Sequence, residues 1–275
     1  MNELSDFRTI NRVLIALDAF RKDQAILDIA MAFAASKRVE LMTLFIEDPD
    51  LVSLASLPFV QEIDTSSTRE RKLDSLQLMR AFRSQTQQLS RRLEQMTRQS
   101  QLRYSLKIVR GHYVHEALSA TVSMDVLFLS RSVGRYARRT PKRSTGRQLP
   151  FSQHRHPAVS NAVWVFYDGT ATSNRALSMA CDLAASSKRE LVIVIQATED
   201  QTERLKQQCI SIVSPLETSA HYVTVTPETG DEDLLNLLYG RDCGILVLSG
   251  DDASGVGQRA SNFMEVLECP VVLVR

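Results

Sequence analysis

The stretches NRVLIALD (residues 11–18) and NAVWVFYD (residues 161–168) decide how this 275-residue chain is organised. Each is a short apolar run typical of a strand that is buried on both faces, and each ends in an aspartate. The sequences that follow also match. AILDIAMAFAASKRVELMTLFIED (25–48) and ALSMACDLAASSKRELVIVIQATED (176–200) both contain an Ala-rich helical stretch, then a basic pair, then a strand that opens with Glu-Leu. The chain therefore contains an internal repeat.

A third repeat has the same spacing in both halves. Gly111 lies fifteen residues before Val126, which opens VLFLS, and Gly230 lies fifteen residues before Ile245, which opens ILVLS. Short strands that alternate with helices predict a parallel sheet covered by helices on both faces. We therefore expect an α/β protein with two tandem Rossmann-like domains, residues 1–157 and 158–275. Each domain should contain a five-stranded parallel sheet of order 3-2-1-4-5.

The second helix is expected to differ between the halves. In the first half, STRE (67–70) has the form of a capping box and predicts the start of a long helix that ends near Gln99. The corresponding helix of the second half, DQTERLKQQCISIVS, is about half as long. The apolar stripe predicted for the long helix consists of Leu73, Leu76, Phe82, Leu89, Leu93 and Met96.

Composition and short motifs exclude several classes of function. The net charge of +1 gives the whole molecule no strong attraction to polyanions. The sequence contains no predicted signal peptide, no apolar run long enough for a membrane span, and no Walker A, G-x-S-x-G or Rossmann glycine motif. HYVHE (112–116) lacks the H-E-x-x-H order, so no metal site is predicted. Four cysteines, all in the second half, are expected to be reduced and mostly buried. They are Cys181, Cys209, Cys243 and Cys269.

Residues 131–157 form a basic segment, RSVGRYARRTPKRSTGRQLPFSQHRHP, with eight Lys or Arg residues and no Asp or Glu. Three interpretations remain open for it. The segment is a degraded phosphate loop, a solvated linker without a ligand, or a surface for nucleic acid or an acidic partner. Only Tyr136 and Phe151 supply aromatic rings, and this disfavours nucleic acid.

The repeated units resemble the universal stress protein family in its tandem form, over nearly the whole chain. The resemblance rests on the strand-end aspartates, ELMTLFIEDP (40–49), the RG…HEAL…MDVLFLS unit and the terminal CPVVLVR (269–275). It implies an adenine nucleotide alpha hydrolase-like fold and dimerisation or pseudo-dimerisation through the last strand. It also implies a cytoplasmic stress protein, of which some members bind ATP and others do not.

Nucleotide-binding members of this family carry a Gly-x2-Gly-x9-Gly-Ser/Thr pattern after the fourth strand. Such glycines let backbone N–H groups approach phosphate oxygens at the start of a helix. In the first half the spacing places Arg131, Gly134 and Ser144-Thr145 on this pattern, so that only the middle glycine is kept. The resemblance further implies that Asp18 contacts the adenosine and that Ile46 packs on the base.

The second half departs further from the pattern. Gly250, Gly255 and Gly257 are too closely spaced, and Asp251-Asp252 stand where phosphates would lie. Ser261 matches the closing serine of the pattern. Gln196 replaces the aliphatic contact to the base, and Asp168, like Asp18, is either a ligand for adenosine or a cap at the end of a strand. ATP, if bound, is therefore expected in the first half.

The function expected from these residues is non-catalytic binding, by nucleotide sensing or protein contact in a stress response. We predict no catalytic residues and no metal ligands. A weak ATP hydrolase or phosphotransferase is one alternative, and a module that docks on nucleic acid or a membrane transporter through residues 131–156 is the other. Expected partners are an adenine nucleotide and a second copy of the chain, bound through the terminal strands.

The asymmetry between the halves predicts the outcome of a nucleotide titration. Gly134→Asp should weaken ATP binding at least tenfold, because charges about 4 Å apart interact by roughly 1 to 4 kcal/mol near a protein surface. Gly250→Asp is expected to leave binding intact. Isothermal titration of ATP, with and without Mg²⁺, tests this, and the opposite pattern would place the site in the second half.

Overall fold

The computed structural model describes most of the chain. The described residues are 10–18, 24–63, 70–72, 74–100, 102–122, 125–130, 161–216, 219–238, 243–250, 255–267 and 269–275.

The first half contributes four main strands and four helices. The strands are β1 (Arg12–Asp18), β2 (Glu40–Glu47), β5 (Tyr104–Arg110) and β6 (Asp125–Leu129). The helices are α1 (Gln24–Lys37), α2 (Pro49–Ala55), α3 (Ser75–Ser100) and α4 (Tyr113–Ser119). A small antiparallel pair, β3 (Gln61–Ile63) with β4 (Glu70–Lys72), lies between α2 and α3.

The second half contributes five strands and four helices. The strands are β7 (Ala162–Tyr167), β8 (Leu191–Gln196), β9 (Ala220–Val225), β10 (Cys243–Ser249) and β11 (Val271–Val274). The helices are α5 (Ala171–Ser187), α6 (Glu199–Val213), α7 (Asp231–Leu238) and α8 (Val256–Val266), and a 3₁₀ turn (Ser214–Leu216) follows α6.

The nine main strands form one continuous sheet in the order β5-β2-β1-β6-β11-β10-β7-β8-β9. All neighbours are parallel except β6 and β11, which pair antiparallel. The second half thus has the predicted order 3-2-1-4-5, and the predicted fold class is confirmed. The first half keeps the order 3-2-1-4.

The sheet differs from the prediction at the place expected for the fifth strand of the first half. The place beside β6 is occupied by β11, with Val271 opposite Leu129 and Val274 opposite Val126. All four residues of β11 are buried, so this strand has the apolar composition that a central position requires. Residues 131–160, where a fifth strand of the first half would have to lie, are outside the described residues. Both edges of β11 are paired within the chain, so the homodimer predicted through this strand has no free edge to use.

Two apolar layers cover the two faces of the sheet, and each layer crosses both halves. Val13, Ile15 and Leu17 point into one layer, whereas Leu14 and Ala16 point into the other, as the period of two in a strand requires. Helices α1, α3, α5 and α6 cover the first layer, and α4, α7 and α8 cover the second. The halves therefore share one core.

Helices of the two halves also contact each other directly. Lys37 of α1 forms an ion pair with Asp182 of α5. Helices α4 and α8 pack so closely that a Cβ atom at Gly257 would lie 2.4 Å from Leu118 Cδ1. The Arg275 Nη1 donates to the Thr121 carbonyl oxygen, 3.0 Å away. These contacts support the β6–β11 junction on both faces.

The long helix of the first half begins later than predicted. The capping box at 67–70 is wrong, because Glu70 belongs to β4 and the helix begins at Ser75. The Asp74 Oδ1 accepts from the backbone N–H of Leu76 at 3.1 Å, so this aspartate replaces the predicted cap. Leu76 is 63% exposed and is not part of the buried stripe, whereas Phe82 and Leu93 are buried as predicted. Leu73 lies outside the described residues.

None of the helices in the described part of the chain combines the length and apolar character that crossing a membrane requires.

A buried ion pair at the start of β6 generates a prediction about stability. Asp125 is fully buried; its Oδ2 accepts from Arg12 Nε at 3.0 Å and from the Val122 N–H at 2.8 Å. Asp125→Ala should lower the free energy of unfolding by about 1–3 kcal/mol, because the Val122 N–H and the partly exposed Arg12 guanidinium lose their acceptor. Denaturant unfolding measures this loss.

The matched control is Arg92→Ala on α3. Arg92 Nη2 contacts Asp28 Oδ1 at 2.9 Å, but Asp28 has a side chain that is 51% exposed. Loss of the Arg92–Asp28 ion pair should lower the free energy of unfolding by less than about 1 kcal/mol. Equal losses for the two variants would contradict the importance given to the Arg12–Asp125 pair.

Candidate functional site: a cleft at the carboxyl ends of β7 and β10

The strand order creates two crevices, one in each half. A crevice forms outside the carboxyl ends of parallel strands where the chain order reverses. In the first half this point lies between β1 and β6, and in the second half it lies between β7 and β10. These are the positions at which open α/β sheets bind ligands.

The second-half crevice is an open cleft of about 310 Å³. This volume is at the lower end of the roughly 300–1,000 Å³ that small-molecule sites occupy. Apolar and polar side chains contribute to it in nearly equal measure. The lining residues are Phe166, Asp168, Thr170, Thr172, Gln196, Leu248, Ser249, Gly250, Val256 and Arg259.

Asp168 is positioned by the turn that leads into α5. Its Oδ1 accepts from the Thr170 backbone N–H at 2.9 Å and from the Thr170 hydroxyl at 2.7 Å. Thr170 in turn caps α5, because its hydroxyl oxygen accepts from the N–H of Ser173 at 3.2 Å. Partial burial by itself raises the pKa of Asp168, but the hydrogen bonds from Thr170 and Ser173 outweigh it, so the pKa is lowered overall. The carboxylate is therefore ionised at neutral pH, and it serves both as a cap and as a wall of the cleft.

Arg259 brings a positive charge to the other side of the cleft. Its Nε donates to Asp231 Oδ1 at 2.8 Å, and its guanidinium carbon lies 5.1 Å from the ring centre of Phe166. A second ring, Phe263, lies 5.8 Å away. Two aromatic faces and one carboxylate thus fix the guanidinium, and among the described residues Asp231 is the hydrogen-bond partner of its side chain.

The start of α8 also borders the cleft. Gly255 caps this eleven-residue helix with a φ of 69°, a conformation that favours glycine, and Val256 in its first turn lines the cleft. Gly250 has a φ of 149°, and its N–H donates to the Val274 carbonyl oxygen at 3.3 Å. This N–H is already engaged, so Gly250 contributes close approach of the backbone rather than a phosphate donor. Ser261 lies further along α8 and does not line the cleft.

In the first-half crevice, a tyrosine side chain contacts the ends of the strands. The hydroxyl of Tyr113, from α4, donates to the Ala16 carbonyl oxygen at 2.7 Å and accepts from the Ser130 N–H at 2.8 Å. Its ring therefore lies between the ends of β1 and β6. Ile46 is 1% exposed within the core, and Asp18 is the last residue of β1. Arg131, Gly134 and Ser144-Thr145 lie outside the described residues, so their role stays a prediction; the same holds for Asp251-Asp252.

One further group of possible metal-ligand atoms lies near the carboxyl ends of the strands of the first half. Asp48, Asp50 and His112 each place one donor atom within 4.8 Å of the others. The Asp48 Oδ1 accepts from the Asp50 N–H at 2.8 Å and so caps α2. This hydrogen bond gives the exposed cluster a structural role, and we assign no metal to it.

The sequence did not single out Arg259, Phe166 or Tyr113. Arg259 follows the glycine-rich stretch by only two residues, and its position four residues after the helix cap Gly255 was the available signal. Tyr113 follows Gly111 by two residues at a helix start, where a buried aromatic ring has no distinctive spacing.

Comparison with known proteins gives similarity at the level of the fold. No protein-family model matches the chain, and no curated protein does. Among solved structures, a universal stress protein from Archaeoglobus fulgidus DSM 4304 is 11% identical, with a TM-score of 0.49 and 96% of each chain covered. A putative universal stress protein from Pseudomonas aeruginosa UCBPP-PA14 is 12% identical, with a TM-score of 0.47, and covers 98% of this chain and 94% of its own.

A shorter universal stress protein, solved in complex with cAMP, is 20% identical with a TM-score of 0.36. It covers 42% of this chain and 98% of its own. These solved structures bear the name of the family that the sequence resembles. These likenesses concern the fold alone, and the site is argued from the residues of this chain.

The Tyr113 hydroxyl generates a testable prediction. Tyr113→Phe should lower the free energy of unfolding by about 1–3 kcal/mol, because the buried Ser130 N–H and the Ala16 carbonyl lose a partner. Tyr104→Phe, on the edge strand β5, removes a hydroxyl for which the described residues provide no hydrogen bond and should change stability little. Denaturant unfolding of both variants tests the difference, and no loss for Tyr113→Phe would show that its hydroxyl does not hold the crevice closed.

Proposed function

We propose that the chain is a cytoplasmic stress-response protein that binds an adenine nucleotide without turning it over, in the cleft between β7 and β10. The observation that carries the proposal is the set of three chemically distinct surfaces in this cleft. They are an apolar wall, an ionised acceptor and a fixed guanidinium at a helix start. The reduced state of the four cysteines is in keeping with a cytoplasmic location.

The apolar part of the lining suits the base. Phe166, Leu248 and Val256, each at most 4% exposed, form an apolar floor, and the side-chain amide of Gln196 both donates and accepts hydrogen bonds. An adenine presents both donors and acceptors on its edge, so Gln196 can pair with it where an aliphatic residue could only pack. The replacement of an aliphatic residue by Gln196 thus fits a base rather than opposing it.

The acceptor and the guanidinium suit the other two parts of a nucleotide. Asp168 is ionised and can accept hydrogen bonds from ribose hydroxyl groups. Arg259 and the N-terminus of α8 lie at the same cleft, and both attract a phosphate. Aromatic stacking fixes the guanidinium beforehand, so less conformational freedom is lost when the phosphate binds.

The charges of the cleft favour a nucleotide with few negative charges, or one bound with a divalent cation. Asp231 already neutralises part of the charge of Arg259, and Asp168 adds a second carboxylate. The cleft has no surplus of positive charge to attract a polyphosphate, unless a cation such as Mg²⁺ bridges the carboxylate and phosphate oxygens. We therefore expect a nucleoside monophosphate to bind without Mg²⁺, and ATP to bind better with it.

Hydrolysis is not favoured by the residues that line the cleft. Among the described lining residues Asp168 is the one carboxylate, and its lowered pKa makes it a weak general base. Its Oδ1 is also held by Thr170, which fixes it as an acceptor. We therefore propose binding rather than catalysis.

The proposed site also departs from the expectation that the first half binds the nucleotide. In the first half the Tyr113 hydroxyl bonds the Ala16 carbonyl oxygen and the Ser130 N–H at the strand ends that a ligand would contact. In the second half the described residues at the corresponding place line a cleft of about 310 Å³. Our choice of the second half rests on this cleft, and the expectation for the first half, whose phosphate-loop residues lie outside the described residues, stays a prediction.

The test is titration of AMP and of ATP with and without Mg²⁺ into wild type and Arg259→Gln. The variant should weaken AMP roughly 10- to 100-fold, since a hydrogen bond to a charged group contributes about 1.5–3 kcal/mol. Adenosine, which lacks the phosphate, should bind wild type and variant within about threefold. Arg92→Gln, which alters a partly exposed arginine on α3 that does not line the cleft, is the matched control.

Two results would contradict the proposal. If wild type binds none of these nucleotides, the proposal that the chain binds a nucleotide is wrong. Binding that survives Arg259→Gln but is lost in Gly134→Asp would place the site in the first half. Arg259→Gln is preferred to a substitution at Gly250, whose φ of 149° would strain any other residue.

A further inference from the structure

Two cysteine side chains meet at the amino ends of the neighbouring strands β10 and β11. Cys243 is the first residue of β10, and Cys269 lies two residues before β11. Their Sγ atoms are 2.9 Å apart, and the thiol of Cys269 donates to the sulfur of Cys243. A disulfide has an S–S length of about 2.05 Å, so the sulfurs need to approach by only about 0.9 Å to bond.

The backbone at Cys243 explains how the two side chains meet. The pairing of β10 with β7 has a register shift between Cys243 and Ile245, which interrupts the regular alternation of side chains. Gly244 lies in this irregularity, where a Cβ atom would be 2.5 Å from the Asn161 carbonyl oxygen. A glycine is required for this close approach, and the resulting bulge directs Cys243 towards Cys269.

From this geometry we infer that Cys243 and Cys269 form a reversible intramolecular disulfide when the protein meets a peroxide. Cys243 is partly exposed, whereas Cys269 is 2% exposed, so the oxidant reaches Cys243 first. The thiolate is the nucleophile in such a reaction, and the partly exposed sulfur is the one that peroxide can meet. Cys243 is thus the attacking residue and Cys269 the resolving residue.

The chemistry balances with peroxide as the only co-reactant. The Cys243 thiolate attacks one peroxide oxygen, the O–O bond breaks, and the departing hydroxide is protonated to water. This leaves a sulfenic acid at Cys243. The Cys269 sulfur then attacks the Cys243 sulfur; its proton and the displaced hydroxide form a second water. The two thiols lose two electrons, the peroxide gains them, and a low-molecular-weight thiol can reverse the reaction by exchange.

The same chain contains a second pair of cysteines that serves as an internal comparison. Cys181 and Cys209 are both fully buried. Burial, and then the nearby Cys181, raise the pKa of the Cys209 thiol to about 12. The Cys209 thiol is therefore neutral at physiological pH and both sulfurs are shielded from solvent, so this pair is expected to stay reduced while the Cys243–Cys269 pair reacts.

The position of the bond determines what it can affect. Strand β11 pairs with β6 of the first half, so a bond between the starts of β10 and β11 fastens the strand that joins the halves. Ser249 and Gly250, which line the cleft, lie at the opposite end of β10 from Cys243. We therefore expect oxidation to stabilise the fold and to leave nucleotide affinity within about threefold.

The experiment uses the full chain under native conditions. Hydrogen peroxide treatment should lower the mass by two hydrogen atoms and give a peptide that links Cys243 to Cys269. It should also raise the midpoint of thermal unfolding by roughly 5–10 °C, because the bond closes a loop of 26 residues. A low-molecular-weight thiol should reverse both changes. Cys243→Ser should abolish them, and Cys181→Ala, in the shielded pair, should leave them intact.

Several outcomes would overturn the inference without reference to nucleotide binding. One is stepwise oxidation of Cys243 to the sulfinic acid with no linked peptide. Others are a link that involves Cys181 or Cys209, or a link between two chains. Because the wild-type mass and peptide map decide these outcomes, the inference remains testable even if Cys243→Ser fails to fold.

Discussion

The antiparallel pairing of β6 with β11 is the interaction on which the rest of the structure depends. Val126–Leu129 and Val271–Val274 are buried on both faces, and they join two parallel sheets into one. A parallel sheet buries its strands only if both faces are covered, so a free edge at β6 would expose an apolar strand to water. The last strand of the chain removes this edge, and the helices of both halves then pack over a continuous core.

This pairing also fixes where the two crevices lie. Every strand of the first half runs opposite to every main strand of the second half, so their carboxyl ends lie at opposite edges of the sheet. Helices α1 and α5 share one face, and α4 and α8 share the other, which is the arrangement of a two-fold axis normal to the sheet. The crevices cannot merge into one site. Each half can therefore carry different side chains in its own crevice.

The sequence predicted those features that local periodicity encodes. Runs such as RVLIALD and AVWVFY are strands at the expected places, and the order 3-2-1-4-5 holds in the second half. It did not predict the partner of β6, because the repeat predicts a fifth strand of the first half at that position and only the tertiary structure shows β11 there. The predicted capping box was wrong for a related reason: Glu70 lies in β4, where it pairs with Ile63 of β3, and it does not start a helix. Arg259 was missed because its neighbours Phe166 and Asp231 are distant in sequence.

Equivalent positions in the two halves show how a duplicated fold acquires different chemistry. Ser130 and Ser249 both follow the apolar run of the fourth strand, yet Ser130 is fully buried beneath Tyr113 whereas Ser249 lines an open cleft. In the first crevice the partly buried Tyr113 places its hydroxyl between the Ala16 carbonyl oxygen and the Ser130 N–H and satisfies both backbone groups. In the second, Arg259 is stacked on Phe166 and held by Asp231, so a charge that would be costly to bury remains at the surface of the cleft. The same backbone thus supports two crevices of different chemistry, one contacted by Tyr113 from α4 and the other lined by Arg259 from α8.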